Sequence, residues 1–149
     1  MKLEEEIRQK KFRNEYHKLA VNIFYTHGWL DNYFSSHLKK SGITGAQYNI
    51  LRILRGQHPK PASINLLKER MLDKMSDASR LVERLLQKGF VDRKICPEDR
   101  RRVEVVITEK GLELLKEIDT HDNEIDIILS KLNLDEARML NELLDKMRG

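Results

Sequence analysis

Along the first third of the chain, apolar residues recur at Phe12, Tyr16, Leu19, Ile23, Leu30, Phe34 and Leu38, mostly three or four apart. That is the period of one face of an α-helix, and it predicts a long amphipathic helix from about Phe12 to Leu38. Gly28 falls inside it at a cost of about 1 kcal/mol relative to alanine, so the pattern allows a bend or a join between two helices there. A helix this long projects beyond the core of one small chain, and its outer stripe calls for burial against a second copy. Ser41-Gly42-Ile43 ends it. Thr44-Gly45-Ala46-Gln47 is then a capping box, opening a core helix with Tyr48, Ile50, Leu51, Ile53 and Leu54, which Gly56 stops. Two prolines exclude helix from the loop Gln57 to Pro61, and Ser63 caps a short helix from Ile64 to Arg70.

The next stretch, Asp73 to Thr108, organises the rest. Asp73 is the expected N-cap of a helix of about fifteen residues that Gly89 stops. Met75, Ala78, Leu81, Val82, Leu85 and Leu86 form its inward stripe, leaving Ser76, Asp77, Arg80, Glu83, Arg84 and Gln87 outward, with Ser79 at the margin. Phe90 to Cys96 and Val103 to Thr108 read as two strands, with Val103, Val105 and Ile107 alternating to one side. Their connection is Pro97-Glu98-Asp99-Arg100-Arg101-Arg102. Three adjacent arginines at a hairpin tip cannot all point inward, so some are held out where phosphates or a narrow minor groove can meet them.

Thr108 caps another long helix, whose stripe runs Gly111, Leu114, Ile118, His121, Ile125, Ile128 and Leu132. Asn133-Leu134-Asp135-Glu136 is a second capping box, and Ala137, Leu140, Leu144 and Met147 line the final helix. The pattern therefore predicts a mainly α fold with a small β-hairpin wing, in one unit of 149 residues.

Charge sharpens this picture. From Met1 to Lys110, 23 lysines and arginines face 14 acids, a balance of +9; from Gly111 onward 5 face 10, a balance of −5. A basic body with an acidic C-terminal segment suits a protein that meets phosphate on one side. The opening MKLEEEIRQK carries three glutamates where a secretory signal needs an apolar run, and no apolar run exceeds about three residues. A cytoplasmic protein without membrane segments is expected. A single cysteine, Cys96, forms no intramolecular disulfide.

The outer face of the Asp73 helix has residue types useful on DNA: arginine clasps guanine or phosphate, serine bonds either, and aspartate accepts from cytosine. It also reads as an ordinary solvated face with pairs such as Asp77 with Arg80 and Arg80 with Glu83. The basic hairpin directly after a helix-turn-helix pair tips the reading toward DNA. A winged-helix module that binds another protein through its hairpin is the competing reading. No phosphate-binding glycine loop, metal-spaced His/Cys set or Ser/His/Asp arrangement points to an enzyme, a cofactor or a metal.

The string GFVDRKICPEDRRRVEVVITEKG resembles the MarR family of bacterial transcription regulators, with Gly89 ending the recognition helix, Asp99 and Arg101 forming the wing's Asp-x-Arg, and Thr108 with Gly111 entering the next helix. Ser79 to Leu85 is similar to the family's recognition-helix core. The resemblance covers nearly the whole chain; Cys96 departs from it where many members have aspartate before the proline. It implies a ligand-responsive repressor, a homodimer on double-stranded DNA with a pseudopalindromic operator. It also implies dimerisation helices over about 1–41 and 111–149 and a winged-helix lobe over about 44–110. Ser76, Asp77, Ser79 and Arg80 become groove contacts and Arg101 the minor-groove residue, oriented by Asp99. Lys74, Arg84, Arg100 and Arg102 would mainly neutralise phosphates.

Many members release DNA when a small aromatic or phenolic effector binds between the dimer helices and the lobe. On that resemblance Tyr33, His37, Tyr48 and Arg52 border the cleft; the plainer reading makes Tyr48 core and the others surface. Cys96, beside the basic tip, is either an oxidant-sensing thiol or a small half-buried strand residue. His121 on its apolar stripe reads as a hydrogen-bonded packing residue.

Overall fold

The computed structural model describes residues 1–149, the side chain of Asp122 excepted. Its lobe begins at Thr44. The Thr44 hydroxyl accepts the Gln47 amide at 3.2 Å while the Gln47 side chain accepts the Thr44 amide at 3.1 Å, so the capping box closes as the sequence predicts. It starts α3 (Gly45–Gln57), which follows a one-turn α1 (Leu3–Glu6) and the long α2 (Glu15–Leu38). After α3 come β1 (Ala62–Ser63), α4 (Ile64–Arg70), α5 (Ala78–Gln87), β2 (Val91–Ile95) and β3 (Val103–Ile107). The chain closes with α6 (Glu109–Asp119), α7 (Asp122–Leu129) and α8 (Leu134–Arg148).

The three strands form one antiparallel sheet in the order β1-β3-β2, with Val91 opposite Ile107 and Ala62 opposite Val105. A single core lies between this sheet and the helices. Ile50, Leu51 and Leu54 of α3, Leu67 of α4, Ala78, Val82 and Leu85 of α5, and Leu115 of α6 are buried there with Val91 and Val105. Gly89 ends α5 with φ +77°. Its amide donates to the Leu86 carbonyl at 3.0 Å and the Phe90 amide to Leu85 at 3.1 Å, the paired bonds of a Schellman stop that only glycine adopts without strain.

Outside this core the helices are thinly buried. Among the described residues, Leu38 alone in α2 is buried, and none of α8 is.

Several expectations are corrected. α2 begins at Glu15, where the Asn14 side chain accepts the His17 amide at 2.9 Å; Phe12 precedes it, and the helix runs through Gly28 without a join. α5 has 10 residues and is capped by Asp77, whose carboxylate accepts the Arg80 amide at 3.1 Å. Asp73 instead closes a preceding turn, accepting from the Met75 amide at 2.9 Å and the Ser76 hydroxyl at 3.0 Å. Met75 therefore stands outside the helix and is 91% exposed, not part of an inward stripe. The aspartate nearer the apolar periodicity won the cap because its carboxylate reaches the free amides of the first turn.

The helix predicted after Thr108 is two, α6 and α7. The Thr120 hydroxyl and amide both donate to the Glu117 carbonyl, and the His121 amide donates to Ile118; these tighter bonds end the α-helical ladder. The stripe's last member, Leu132, lies beyond α7. β1 was unpredicted, two residues being too few for alternation to register. Cys96 lies one residue past β2 and is buried rather than half-buried, its amide donating to the Arg102 carbonyl at 3.2 Å.

Candidate nucleic-acid interface

An open groove of about 710 Å³ separates the hairpin from α4 and α5. Ser79, Asp99, Arg101 and Arg102, all singled out from the sequence, line it together. Asn65 of α4 lines it as well and was missed: a lone asparagine on a short helix carries no signal until the hairpin is folded beside it.

The hairpin tip is held by its own backbone. The Asp99 carboxylate accepts the Arg101 amide at 3.0 Å, and the Asp99 carbonyl accepts the Arg102 amide at 2.9 Å. Asp99 thus fixes the main chain at Arg101 and not, as expected, the guanidinium. Arg100, Arg101 and Arg102 are all exposed. They make the end of the hairpin cationic, and Arg101 and Arg102 face the groove.

The helix side is arranged differently from the sequence reading. Ser79, Arg80, Glu83, Arg84 and Gln87 are exposed or half-exposed on α5. Ser76 and Asp77 precede the helix and are engaged, the first with Asp73 and the second as cap. The Lys74 ammonium donates to the Glu69 carbonyl, back toward α4. Of the expected helical pairs, Asp77 meets the Arg80 amide only, and Glu83 pairs with Arg93 of β2 instead of Arg80. Hydrogen bonds from the Met75 amide and then the Ser76 hydroxyl hold the Asp73 carboxyl below its usual value.

A second feature lies where α2, α3 and the α6–α7 junction meet. A cavity of about 30 Å³, room for about one water, is lined by Tyr33, His37, Tyr48, His121 and Glu124 among others. Three of the four expected effector residues border it. Arg52 does not line it, but its guanidinium donates to the Tyr48 hydroxyl at 3.0 Å. Glu124 was missed, and it organises the site: it receives the Tyr33 hydroxyl at 3.0 Å, His37 Nε2 at 2.5 Å and His121 Nδ1 at 3.0 Å. Tyr33 and Glu124 are 91 residues apart, a distance no spacing rule spans. The His121 and then the Tyr33 hydrogen bond lower the Glu124 carboxyl, while burial and then Glu124 raise the Tyr33 phenol.

Among the described residues, no group of three His, Cys, Asp or Glu is arranged to hold a metal ion, and no helix is long and apolar enough to cross a membrane.

A core of three helices, a three-stranded sheet and a projecting basic hairpin beside the third helix define a winged helix-turn-helix lobe. The model of the MarR family matches residues 41–102, the part of the chain that holds most of that lobe. The HTH-type transcriptional regulator MhqR of Bacillus subtilis is 28% identical over 131 residues, covering 87% of this chain and 89% of the relative. A MarR transcription factor from Planctomyces limnophilus is 28% identical with a TM-score of 0.68, over 91% of this chain and 98% of that one. A mutant MarR from E. coli complexed with operator DNA is 26% identical with a TM-score of 0.78, over 93% and 99%. Residues 41–102 thus match the MarR family model, and nearly the whole chain is similar in sequence and fold to MarR-type transcription regulators.

Proposed function

We propose that the protein is a homodimeric, sequence-specific repressor of transcription. It binds a pseudopalindromic operator through α5 and the hairpin and is released by a small aromatic or phenolic ligand. The observation that carries the reading is the groove that gathers Ser79, Asp99, Arg101 and Arg102 between reader helix and wing. A duplex strand fits such a space: the helix enters the major groove, the phosphodiester backbone passes between, and an arginine reaches the minor groove. Ser79 and Arg80 are the groove readers and Arg101 the minor-groove residue. Ser76 and Asp77, at the helix entry, are further candidate groove contacts. Lys74, Arg84, Arg100 and Arg102 neutralise phosphates. The E. coli relative solved with operator DNA supports this docking.

Dimerisation through about 1–41 and 111–149 is supported by the apolar side chains left uncovered there. Met139, Leu140, Leu143 and Met147 are all exposed on α8, and Phe24 on α2 is 76% exposed. A 15-residue helix with no fully buried residue, only Ala137 and Leu144 partly covered, is marginal in water and needs a partner surface. The cavity at Tyr33, His37 and Tyr48 joins α2, the lobe and α7, so a ligand widening it would alter how the two lobes of a dimer are spaced.

Genomic-fragment selection with the purified protein, followed by sizing of the complex, tests the reading. A pseudopalindromic fragment bound by two protomers is expected. If no fragment is enriched and the hairpin instead engages protein, the winged-helix interaction reading takes its place.

A further inference from the structure

Arg93 and Glu83 stand 10 residues apart on either side of the Gly89 turn, and the Arg93 guanidinium on β2 donates to the Glu83 carboxylate on α5. Each side chain is 50% exposed, so the pair lies on the outer surface. Glu83 is the one carboxylate within α5, Ala78–Gln87. Arg80 sits one turn earlier, at the spacing where a carboxylate and a guanidinium on the same helix meet. Yet Glu83 turns to the strand, and among the described residues no ion pair engages Arg80.

We propose that Arg93 is a positioning residue for the reading face: by holding Glu83 from the wing side it keeps that carboxylate off Arg80, leaving the Arg80 guanidinium to meet DNA. The inference rests on the DNA-binding reading above. A guanidinium already engaged by a neighbouring carboxylate offers less of its planar donor fork to guanine. An uncompensated carboxylate on a face that approaches phosphates also repels them. Both penalties act through Glu83 and not through any contact of Arg93 itself, which separates this role from a phosphate contact or a structural staple.

The test measures affinity of the full-length protein for the fragment selected by the wild type and for a random fragment of equal length, at one salt concentration. Arg93→Gln is expected to lower the ratio of the two affinities roughly three- to tenfold, toward that of Arg80→Ala, and to add nothing to Arg80→Ala. Glu83→Gln should keep the wild-type ratio. The double variant Glu83→Gln with Arg93→Gln should recover it to within about twofold, because no carboxylate remains to capture Arg80. Arg93→Lys, which retains a cation for Glu83, should also keep discrimination. A double variant as poor as Arg93→Gln overturns the inference and makes Arg93 a contact or a staple in its own right. Failure of the wild type to select any fragment would defeat the DNA-binding reading instead.

Discussion

The Thr108 hydroxyl donates to the Gly89 carbonyl at 2.7 Å while accepting the Gly111 amide at 3.2 Å. One side chain thereby caps α6 and ties its start to the end of α5, 19 residues earlier. The reader helix is anchored at the end opposite its groove-facing turn, and the hairpin is closed at its base. Thr108→Ala removes both bonds and should destabilise the protein by about 1–2 kcal/mol in a urea melt. Thr108→Ser should restore most of it. Equal stability of the alanine variant would show that the tie contributes nothing.

Gly111 is a glycine for lack of space. A Cβ there would stand 2.4 Å from the Phe90 carbonyl oxygen and 2.7 Å from Ile107 Cγ1. The carbonyl already accepts the Thr108 amide at 3.0 Å and cannot swing aside without breaking the turn. Gly111→Ala should therefore cost about 2 kcal/mol or more despite alanine's better helix propensity. A variant as stable as the wild type would contradict the close approach of α6 to the strand entry.

Glu124 predicts a pH dependence with a definite sign. Its folded-state carboxyl lies below the ordinary 4.5, through the His121 and then the Tyr33 hydrogen bond. A depressed carboxyl adds stability that is fully present above its unfolded value and is lost as pH falls through the folded one. The melting-temperature gap between wild type and Glu124→Gln should therefore be full at neutral pH and shrink as pH falls below 4.5. A gap of constant size down to strongly acid pH would assign the effect to packing.

The uncovered face of α8 predicts an obligate partner. Leu143, 54% exposed, should be buried in the assembly. Leu143→Glu should sediment as a monomer and melt earlier than the wild type, because it places a charge in an apolar interface. A wild-type protein that sediments as a monomer at micromolar concentration would remove the dimer from the account.

Local chemistry made most of the lobe legible. The boxes at Thr44 and Asn133, the Ser63 cap and the Gly89 stop are each decided by a few adjacent residues, and each forms as read. The start of α5 was misread because Asp73 and Asp77 are both chemically able caps; only the folded turn, in which Asp73 closes on Met75 and Ser76, assigns the role. The break at Thr120 was hidden for a related reason: spacing continues across a helix end whenever the chain keeps a similar direction. For the site, the three arginines announced themselves by number and position. Asn65, Arg93 and Glu124 did not, since their roles arise from partners brought in by tertiary contact. Arg93 reads as one more strand residue until the fold sets Glu83 on the other side of the turn.

The measurement that bears most directly on the basic wing is a salt titration of affinity for the selected fragment, wild type against Arg101→Ala. The logarithm of wild-type affinity should fall steeply and linearly with the logarithm of salt. Arg101→Ala should bind more weakly, with the slope reduced by about 0.9 for each phosphate it no longer neutralises. Wild-type binding that barely responds to salt, together with an Arg101→Ala variant of unchanged affinity, would contradict a basic wing that reads DNA.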